Sequence, residues 1–315
     1  MTINDSTSRL AGRLDGLLFF PVTAFGPGGG VDLDAYRQHL KSRLSARDDG
    51  LGAVFACCGT GEFFSLGLEE YTECVRVAVA EAAGRVPVVA GVGYGAALAT
   101  QFARAAASAG ADGLLVMPPY LVESGQAGLR EHYRGLADAV DLEMIIYQRD
   151  NAIFTPDTVA DLAAHPGIVG FKDGRGDLDL MRRIVGAVRQ RHGEDALLYF
   201  NGMPTAEMTC QAYRAVGVPG YSSAVYCFAP DLAMAFYRAY RHGDEAVVNR
   251  LLDGFWLPYV ELRRTRPGYA VSLVKAGVRL EGVDVGPVRP PLSEPEPEHV
   301  HRLAELITIG RELIA

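Results

Sequence analysis

A lysine ends one of the most apolar stretches of the chain. In "IVGFKDGRGD", residues 168–177, the apolar run reaches Lys172 and then breaks into acidic residues and glycines. A lysine shielded from water loses hydration of its charged form, which lowers its pKa and makes the neutral amine a nucleophile for ketones. The alternative is a structural lysine paired with Asp173 or Asp177 where a strand ends. The sequence has only three lysines: Lys41, Lys172 and Lys275.

Two other segments carry groups that could complete a site around such an amine. Tyr147 ends the apolar run "MIIY", and a phenol there could transfer protons. A buried tyrosine bonded to the backbone is the alternative. In "CCGTGEF", Gly59, Thr60 and Gly61 offer backbone N–H groups that can bind a carboxylate. An ordinary turn between a strand and a helix is the alternative there.

The elements that position these residues alternate regularly along the chain. Helical patterns, such as 68–84, 99–110 and 155–167, lie between apolar strand candidates. The strand candidates are 16–25, 52–61, 86–93, 113–120, 143–149, 168–174, 196–202 and 220–225. Eight repeats of strand and helix predict an α/β fold, and they favour a (β/α)8 TIM barrel over an open doubly wound sheet. In such a barrel the C-terminal strand ends carry the chemistry, and both Lys172 and Tyr147 lie at such ends.

The character of the chain changes near residue 244. Helical patterns continue without strands, interrupted by the proline-rich connection 285–299. We therefore predict a barrel over 1–243 and a C-terminal helical extension over 244–315. The extension is expected to pack on the barrel or on a neighbouring subunit.

Composition excludes several classes of protein. The formal net charge of −8 argues against a nucleic-acid partner. The five cysteines are odd in number and form no CxxC pair, which predicts neither a disulfide framework nor a zinc knuckle and favours a cytoplasmic location. The start of the sequence lacks the apolar core of a signal peptide. No apolar run approaches the roughly 18 residues that would indicate a membrane span.

Two short motifs could indicate a cofactor or a metal, but neither has the required context. "GVGYGA" (91–96) fits a dinucleotide-binding pattern, yet no acidic residue ends the next strand candidate, where a ribose partner should lie. "HVH" (299–301) lacks a complementary set of carboxylates or thiols. No metal and no cofactor are predicted.

The lysine, the tyrosine and the glycine-rich turn together resemble the dihydrodipicolinate synthase / N-acetylneuraminate lyase family of class I Schiff-base barrels. The stretches that carry the likeness are "GTGEFFSL", "YQRDNA", "GFKDGRGD" and "FNGMPTAE". This resemblance, which covers about the whole chain, implies that Lys172 forms the imine and that Tyr147 is the strand-five tyrosine. It also implies that Gly59 and Thr60 bind the carboxylate of a 2-oxo acid through their backbone.

Two departures distinguish the chain from the synthases of that family. Gly59 replaces the first of two adjacent hydroxyl residues, and Gln148, Arg149 and Asp150 follow the tyrosine where Asn-x-Pro is usual. The four stretches quoted above carry a narrower resemblance to the family's decarboxylating dehydratases, lyases of glucarate catabolism, and both departures are compatible with it. It implies conversion of 5-dehydro-4-deoxy-D-glucarate into 2,5-dioxopentanoate, CO2 and water. It also implies a homotetramer built as a dimer of dimers. A pyruvate-dependent aldolase or synthase, and a non-catalytic barrel that binds sugar acids, are the alternatives.

A six-carbon diacid also needs a partner for the carboxylate that lies far from the ketone. Neutral donors at the last two strand ends are Asn201, Ser222 and Ser223. Cationic candidates in adjacent loops are Arg149 and Arg175, with surface pairing as the alternative for both. Tyr120, at the fourth strand end, is expected to line the mouth of the barrel or to reach a neighbouring subunit.

Overall fold

Eight parallel strands form a closed barrel in a computed structural model that describes residues 10–44 and 50–315. Each strand pairs with the next along the chain, and β8 closes the barrel by pairing with β1. The strands are β1 (Leu17–Phe19), β2 (Leu51–Ala56), β3 (Val88–Val92), β4 (Gly113–Val116), β5 (Glu143–Gln148), β6 (Ile168–Asp173), β7 (Leu198–Asn201) and β8 (Gly220–Ser223). The predicted TIM barrel is confirmed.

The strands are shorter than most of the apolar segments that predicted them. The segment 16–25 forms a strand only at Leu17–Phe19, and its remainder leaves the barrel to make an isolated antiparallel bridge between Phe25 and Val31. The apolar residues Phe20, Val22, Ala24 and Phe25 are nevertheless buried. Buried residues outside the strand therefore made the predicted strand longer than the one observed.

Helices cover the outside of the barrel. The first eight are α1 (Leu33–Leu44), α2 (Leu68–Ala82), α3 (Ala96–Ser108), α4 (Gln126–Ala139), α5 (Pro156–Leu162), α6 (Leu178–His192), α7 (Cys210–Ala215) and α8 (Pro230–His242). The predicted start of α5 is present, since the Thr155 hydroxyl accepts a hydrogen bond from the Thr158 N–H at 3.3 Å. Within the described ranges, no helix is long and apolar enough to span a bilayer.

Four further helices follow the barrel, as predicted for the C-terminal extension. They are α9 (Glu245–Leu251), α10 (Leu257–Arg264), α11 (Tyr269–Leu280) and α12 (Pro297–Glu312), and a π-helical turn at Leu252–Trp256 joins the first two. Helix α12 packs against α8, α10 and α11. The proline-rich connection is shorter than predicted, because Pro297 is the first residue of α12 and not part of the loop. The division of the chain into two domains stays a prediction.

Candidate active site

Lys172 lies in β6 at the C-terminal end of the barrel, and its side chain is almost completely buried. The residue is 3% exposed and pairs in register with Tyr147 of β5. Its Nζ donates a hydrogen bond to the Ser222 hydroxyl at 3.2 Å and lies 3.9 Å from the centre of the Phe20 ring. Among the described residues, the amine therefore contacts a neutral hydroxyl and an aromatic ring and no carboxylate.

Burial lowers the pKa of Lys172 to about 7. Cys58 opposes this shift and Arg149 adds to it by repulsion between like charges. A substantial fraction of the amine is therefore neutral near pH 7, which nucleophilic attack on a ketone requires.

Neither nearby aspartate pairs with this lysine. Asp173 follows Lys172 in the strand, so its side chain points to the opposite face of the sheet. There it accepts hydrogen bonds from the Gln148 amide at 2.8 Å and from the Tyr213 hydroxyl. Asp177 caps α6 by accepting from the Leu180 N–H at 2.9 Å. The alternative of a lysine paired with either aspartate is therefore wrong.

Tyr147 contacts both the lysine and the end of the seventh strand. Its hydroxyl donates a hydrogen bond to the Gly202 carbonyl at 2.7 Å. A Cβ at Gly202 would lie 2.7 Å from the Tyr147 ring and 2.8 Å from Lys172 Cε, so only glycine fits there. Burial raises the pKa of Tyr147, and the nearby Arg149 guanidinium opposes that rise. The phenol is thus protonated at neutral pH, beside a cation that would stabilise its anion.

Two residues of the turn after β2 line the same cavity. Gly59 and Thr60 line the cavity, and within the described residues their N–H groups have no acceptor. Gly61 is buried and faces away from the cavity, with its carbonyl accepting a hydrogen bond from the Thr23 hydroxyl at 2.7 Å. The first two residues of the predicted turn therefore reach the cavity, and their binding of a carboxylate stays a prediction.

A buried ion pair ties this turn to the C-terminal helices. Lys275 of α11 is 0% exposed, and its Nζ lies 3.1 Å from Oε1 of Glu62, the residue that follows Gly61. The other carboxylate oxygen of Glu62 accepts from the Arg289 N–H at 2.9 Å. Burial lowers the pKa of Lys275 to about 8, although the attraction of Glu62 opposes the shift. The third lysine of the sequence is thus structural.

The cavity around Lys172 has a volume of about 310 Å³ and a positive lining. Its described lining includes the guanidinium groups of Arg149 and Arg263, the Lys172 amine and no carboxylate. The cavity opens beside a wider groove of about 900 Å³, whose wall includes Tyr120. A compact, positively lined cavity with a free amine is suited to a small anion that carries a carbonyl group.

Comparisons with known proteins agree with this arrangement. The sequence profile of the Dihydrodipicolinate synthetase family matches residues 13–309. The chain belongs to this family. A relative from Streptomyces coelicolor, named "Probable 5-dehydro-4-deoxyglucarate dehydratase 1", is 61% identical over 98% of each chain.

Solved structures of this family share the fold. Dihydrodipicolinate synthase from Bacillus clausii superposes with a TM-score of 0.84 at 27% identity, over 95% of this chain and 98% of that one. The family protein YagE from E. coli K12, solved in complex with pyruvate, gives a TM-score of 0.80 at 25% identity, over 95% and 98% of the two chains.

Among the residues predicted to hold a second carboxylate, the family barrel brings some to the cavity and not others. Ser222 and Arg149 line it, whereas Asn201, Ser223 and Arg175 do not. Asn201 pairs in register with Asp173 and therefore faces away from Lys172. Its amide instead donates to the Ala206 carbonyl at 3.1 Å and to the Thr209 hydroxyl at 2.9 Å.

Ser223 and Arg175 also lie outside the cavity lining. Ser223 alternates with Ser222 along β8, and its hydroxyl donates to the buried carboxyl group of Glu207. Arg175 is exposed in the loop after β6. Tyr120 is 62% exposed and lines the wider groove beside the Lys172 cavity, and its contact with a neighbouring subunit stays a prediction.

Several lining residues of this family barrel were missed from the sequence. Phe20 follows the first strand, and its place in an apolar run conceals its contact with the amine. Gly202 had a usable signal, since a glycine directly after a strand often marks close approach of other groups. Arg263 comes from α10 of the C-terminal extension, so no count of strand ends could have located it.

The two motifs considered for cofactor or metal binding have other roles or surroundings. Gly91 of "GVGYGA" lies in β3, where a Cβ would come 2.3 Å from the Cys57 carbonyl oxygen, so packing against the turn after β2 requires glycine. Near the start of α12, ligand atoms of Glu296, Glu298 and His299 lie within 4.8 Å of one another. His299 already shares a hydrogen bond with the Tyr269 hydroxyl at 2.9 Å, and this group does not line the Lys172 cavity.

Proposed function

We propose that this member of the family is a decarboxylating dehydratase, which converts 5-dehydro-4-deoxy-D-glucarate into 2,5-dioxopentanoate, CO2 and water through a Schiff base on Lys172. The observation that carries the proposal is the buried Lys172 amine in a cavity lined by two arginines and no described carboxylate. Such a cavity suits a dianionic keto acid. The name of the S. coelicolor relative supports the choice of this diacid.

Binding comes first in the proposed sequence. The carboxylate next to the ketone binds the free N–H groups of Gly59 and Thr60, which places the ketone near Lys172. The neutral amine attacks the ketone, and loss of water gives an iminium. Tyr147, or the carboxylate of the substrate itself, transfers the protons that these steps require.

The iminium then serves as the electron sink for both bond cleavages. Removal of a proton from the neighbouring CH2 gives an enamine, which expels the β-hydroxyl as water and leaves a conjugated iminium. The bond to the far carboxylate breaks next, and its electrons move along the conjugated chain to nitrogen while CO2 departs. Reprotonation, conversion of the resulting enol to an aldehyde and hydrolysis release 2,5-dioxopentanoate and regenerate Lys172. No step needs a metal or an organic cofactor.

Two measurements test the proposal. The protein should release one CO2 per 5-dehydro-4-deoxy-D-glucarate consumed. Borohydride reduction in the presence of pyruvate should add mass to the peptide that contains Lys172, and the Lys172→Ala variant should show no such addition. Substrate that remains unchanged, or an adduct on another residue, would refute the proposed reaction.

The same experiments separate the alternatives. An aldolase or synthase would form the adduct and use pyruvate without releasing CO2. A non-catalytic binding barrel would form the adduct without any product. The S. coelicolor relative's name favours the dehydratase over both.

Assembly and location are also part of the proposal. We infer a cytoplasmic homotetramer, built as a dimer of dimers, from the family resemblance and the five free cysteines. The exposed apolar residues around Tyr120 support an oligomer, because an isolated chain would leave them in water.

A further inference from the structure

Arg263 lines the cavity and has no role in the proposed imine chemistry. It lies in α10 and lines the cavity together with Lys172. Its Nε is buried and has no hydrogen-bond partner within the described residues. A buried guanidinium N–H without an acceptor is costly, so this site favours a ligand that can accept a hydrogen bond, and an anion best of all.

Among the residues that the structure describes, no carboxylate forms an ion pair with this guanidinium. Glu207 is near enough to attract it, but its carboxyl group accepts from the Ser223 hydroxyl and forms no ion pair with Arg263 among the described residues. Burial lowers the pKa of Arg263 and repulsion from Arg264 adds to this shift, whereas Tyr259 and, to a smaller extent, Glu207 oppose it. An anionic ligand in the cavity would supply the missing partner.

The other candidate cations in the cavity already have partners. The Arg149 guanidinium lies 3.2 Å from the Asp150 carboxylate and also borders the Tyr147 phenol. Lys172 forms the iminium at the ketone carbon, at the opposite end of the substrate. This leaves Arg263 as the cation available for a second negative charge.

We propose that Arg263 binds the carboxylate of the substrate that lies far from the ketone and so selects 2-oxo diacids over 2-oxo monoacids. The inference rests on the proposed function for the identity of the natural substrate. A guanidinium can bind a carboxylate through two parallel N–H···O hydrogen bonds, which fixes its orientation as well as its charge. Arg263 is thus a specificity-determining residue supplied by the C-terminal helices.

This role predicts a particular kinetic signature. As CO2 leaves, the negative charge of the far carboxylate moves to the imine nitrogen, so the Arg263 contact stabilises the bound substrate more than the transition state. Its removal should therefore raise KM by about 10- to 100-fold and change kcat by no more than a few-fold. A merely structural defect would lower kcat as well.

The test uses two ligands that form the imine but have no β-hydroxyl to eliminate, and that differ only at the far end. Both 2-oxoadipate and 2-oxohexanoate have six carbons and a 2-oxo acid group, but the first ends in a carboxylate and the second in a methyl group. The ligand concentration that gives half-maximal borohydride trapping on Lys172 is measured for each. The wild-type protein should prefer 2-oxoadipate by about tenfold or more, and Arg263→Gln should reduce this preference to within about threefold.

Matched variants control the comparison. Arg264→Gln removes the neighbouring charge from an exposed residue outside the cavity lining and should keep the preference. Arg263→Lys keeps the charge without the planar fork and should give an intermediate preference. If Arg263→Gln does not fold, the lysine variant decides: a reduced preference supports the proposal and an unchanged one overturns it.

The remaining outcomes separate this inference from the proposed reaction. A wild-type protein without diacid preference, or an Arg263→Gln variant that folds and retains the preference, would overturn the role of Arg263 even if CO2 is released. A preference that depends on Arg263 without CO2 release would leave the subsite intact and remove the proposed reaction.

Discussion

The protonation state of Lys172 determines when the proposed chemistry can begin. Burial lowers the pKa of this amine to about 7, so its neutral fraction increases as the pH rises through that value. The rate of imine formation with pyruvate, followed by borohydride trapping, should rise about tenfold per pH unit well below pH 7 and level off above it. A rate that continued to rise toward the ordinary lysine pKa would show that burial does not control the amine.

Tyr147 is the second residue whose role can be tested in isolation. Tyr147→Phe removes the hydroxyl that donates to the Gly202 carbonyl and retains the ring. We expect kcat to fall by about 10²- to 10⁴-fold, because the proton-transfer steps lose their phenol. Tyr133→Phe is the matched control, since the buried Tyr133 hydroxyl has no hydrogen-bond partner among the described residues and lies outside the cavity lining. Unchanged kcat in Tyr147→Phe would remove the phenol from the mechanism.

The period of two along a strand explains which residue predictions succeeded. Lys172 and Ser222 face the cavity, so their neighbours Asp173 and Ser223 must face the helices. The sequence gives no direct indication of which of two adjacent polar residues points inward. Asn201 was misplaced for this reason, although its strand was predicted correctly.

At the scale of elements, the turn after β2 depends on the buried pair of Glu62 and Lys275. Lys275→Met leaves the Glu62 carboxylate buried without its cation, and we expect the free energy of unfolding to fall by about 3–5 kcal/mol. Adding Glu62→Gln should restore part of the loss, since the double variant no longer buries a charge there. Chemical unfolding of the two single variants and the double variant measures this coupling.

The pair should also affect ligand binding through the turn. Displacement of Glu62 shifts the N–H groups of Gly59 and Thr60, so Lys275→Met should raise the pyruvate concentration needed for half-maximal trapping. Lys41→Met serves as the control, because Lys41 is exposed on α1. Wild-type stability in Lys275→Met would show that the pair contributes nothing to the fold.

Elements were predicted more accurately than the contacts between them. Each strand overlaps an apolar segment of the sequence because strands covered on both faces need continuous apolar residues. The Thr155 cap followed by Pro156 located the start of α5 because local hydrogen bonding and a fixed φ act within one turn. By contrast, the contacts of Lys275 with Glu62 and of Arg263 with the cavity join distant parts of the chain, and no local pattern encodes them.

At the scale of the whole molecule, the C-terminal helices complete the site that the barrel begins. The barrel positions Lys172 and Tyr147, while α10 contributes Arg263 and α11 contributes Lys275. The proposed imine chemistry uses barrel residues, and the proposed choice of substrate uses a residue of the extension. A comparison of relatives that differ in substrate should therefore find differences in α10 as well as in the barrel loops.

The exposed apolar loop after β4 provides a test of assembly. Leu121 is 80% exposed, and its neighbours Tyr120 and Val122 are 62% and 50% exposed. If this loop contacts another subunit, Leu121→Asp places a charge in the interface and removes about 1.5–3 kcal/mol of apolar burial. The wild-type protein should behave as an oligomer in light scattering after gel filtration, and Leu121→Asp should shift it to smaller species.

Leu280→Asp is a control at an exposed leucine on α11. Since Tyr120 lines the groove beside the active cavity, dissociation should also weaken turnover, and a wild-type monomer with full activity would contradict both expectations.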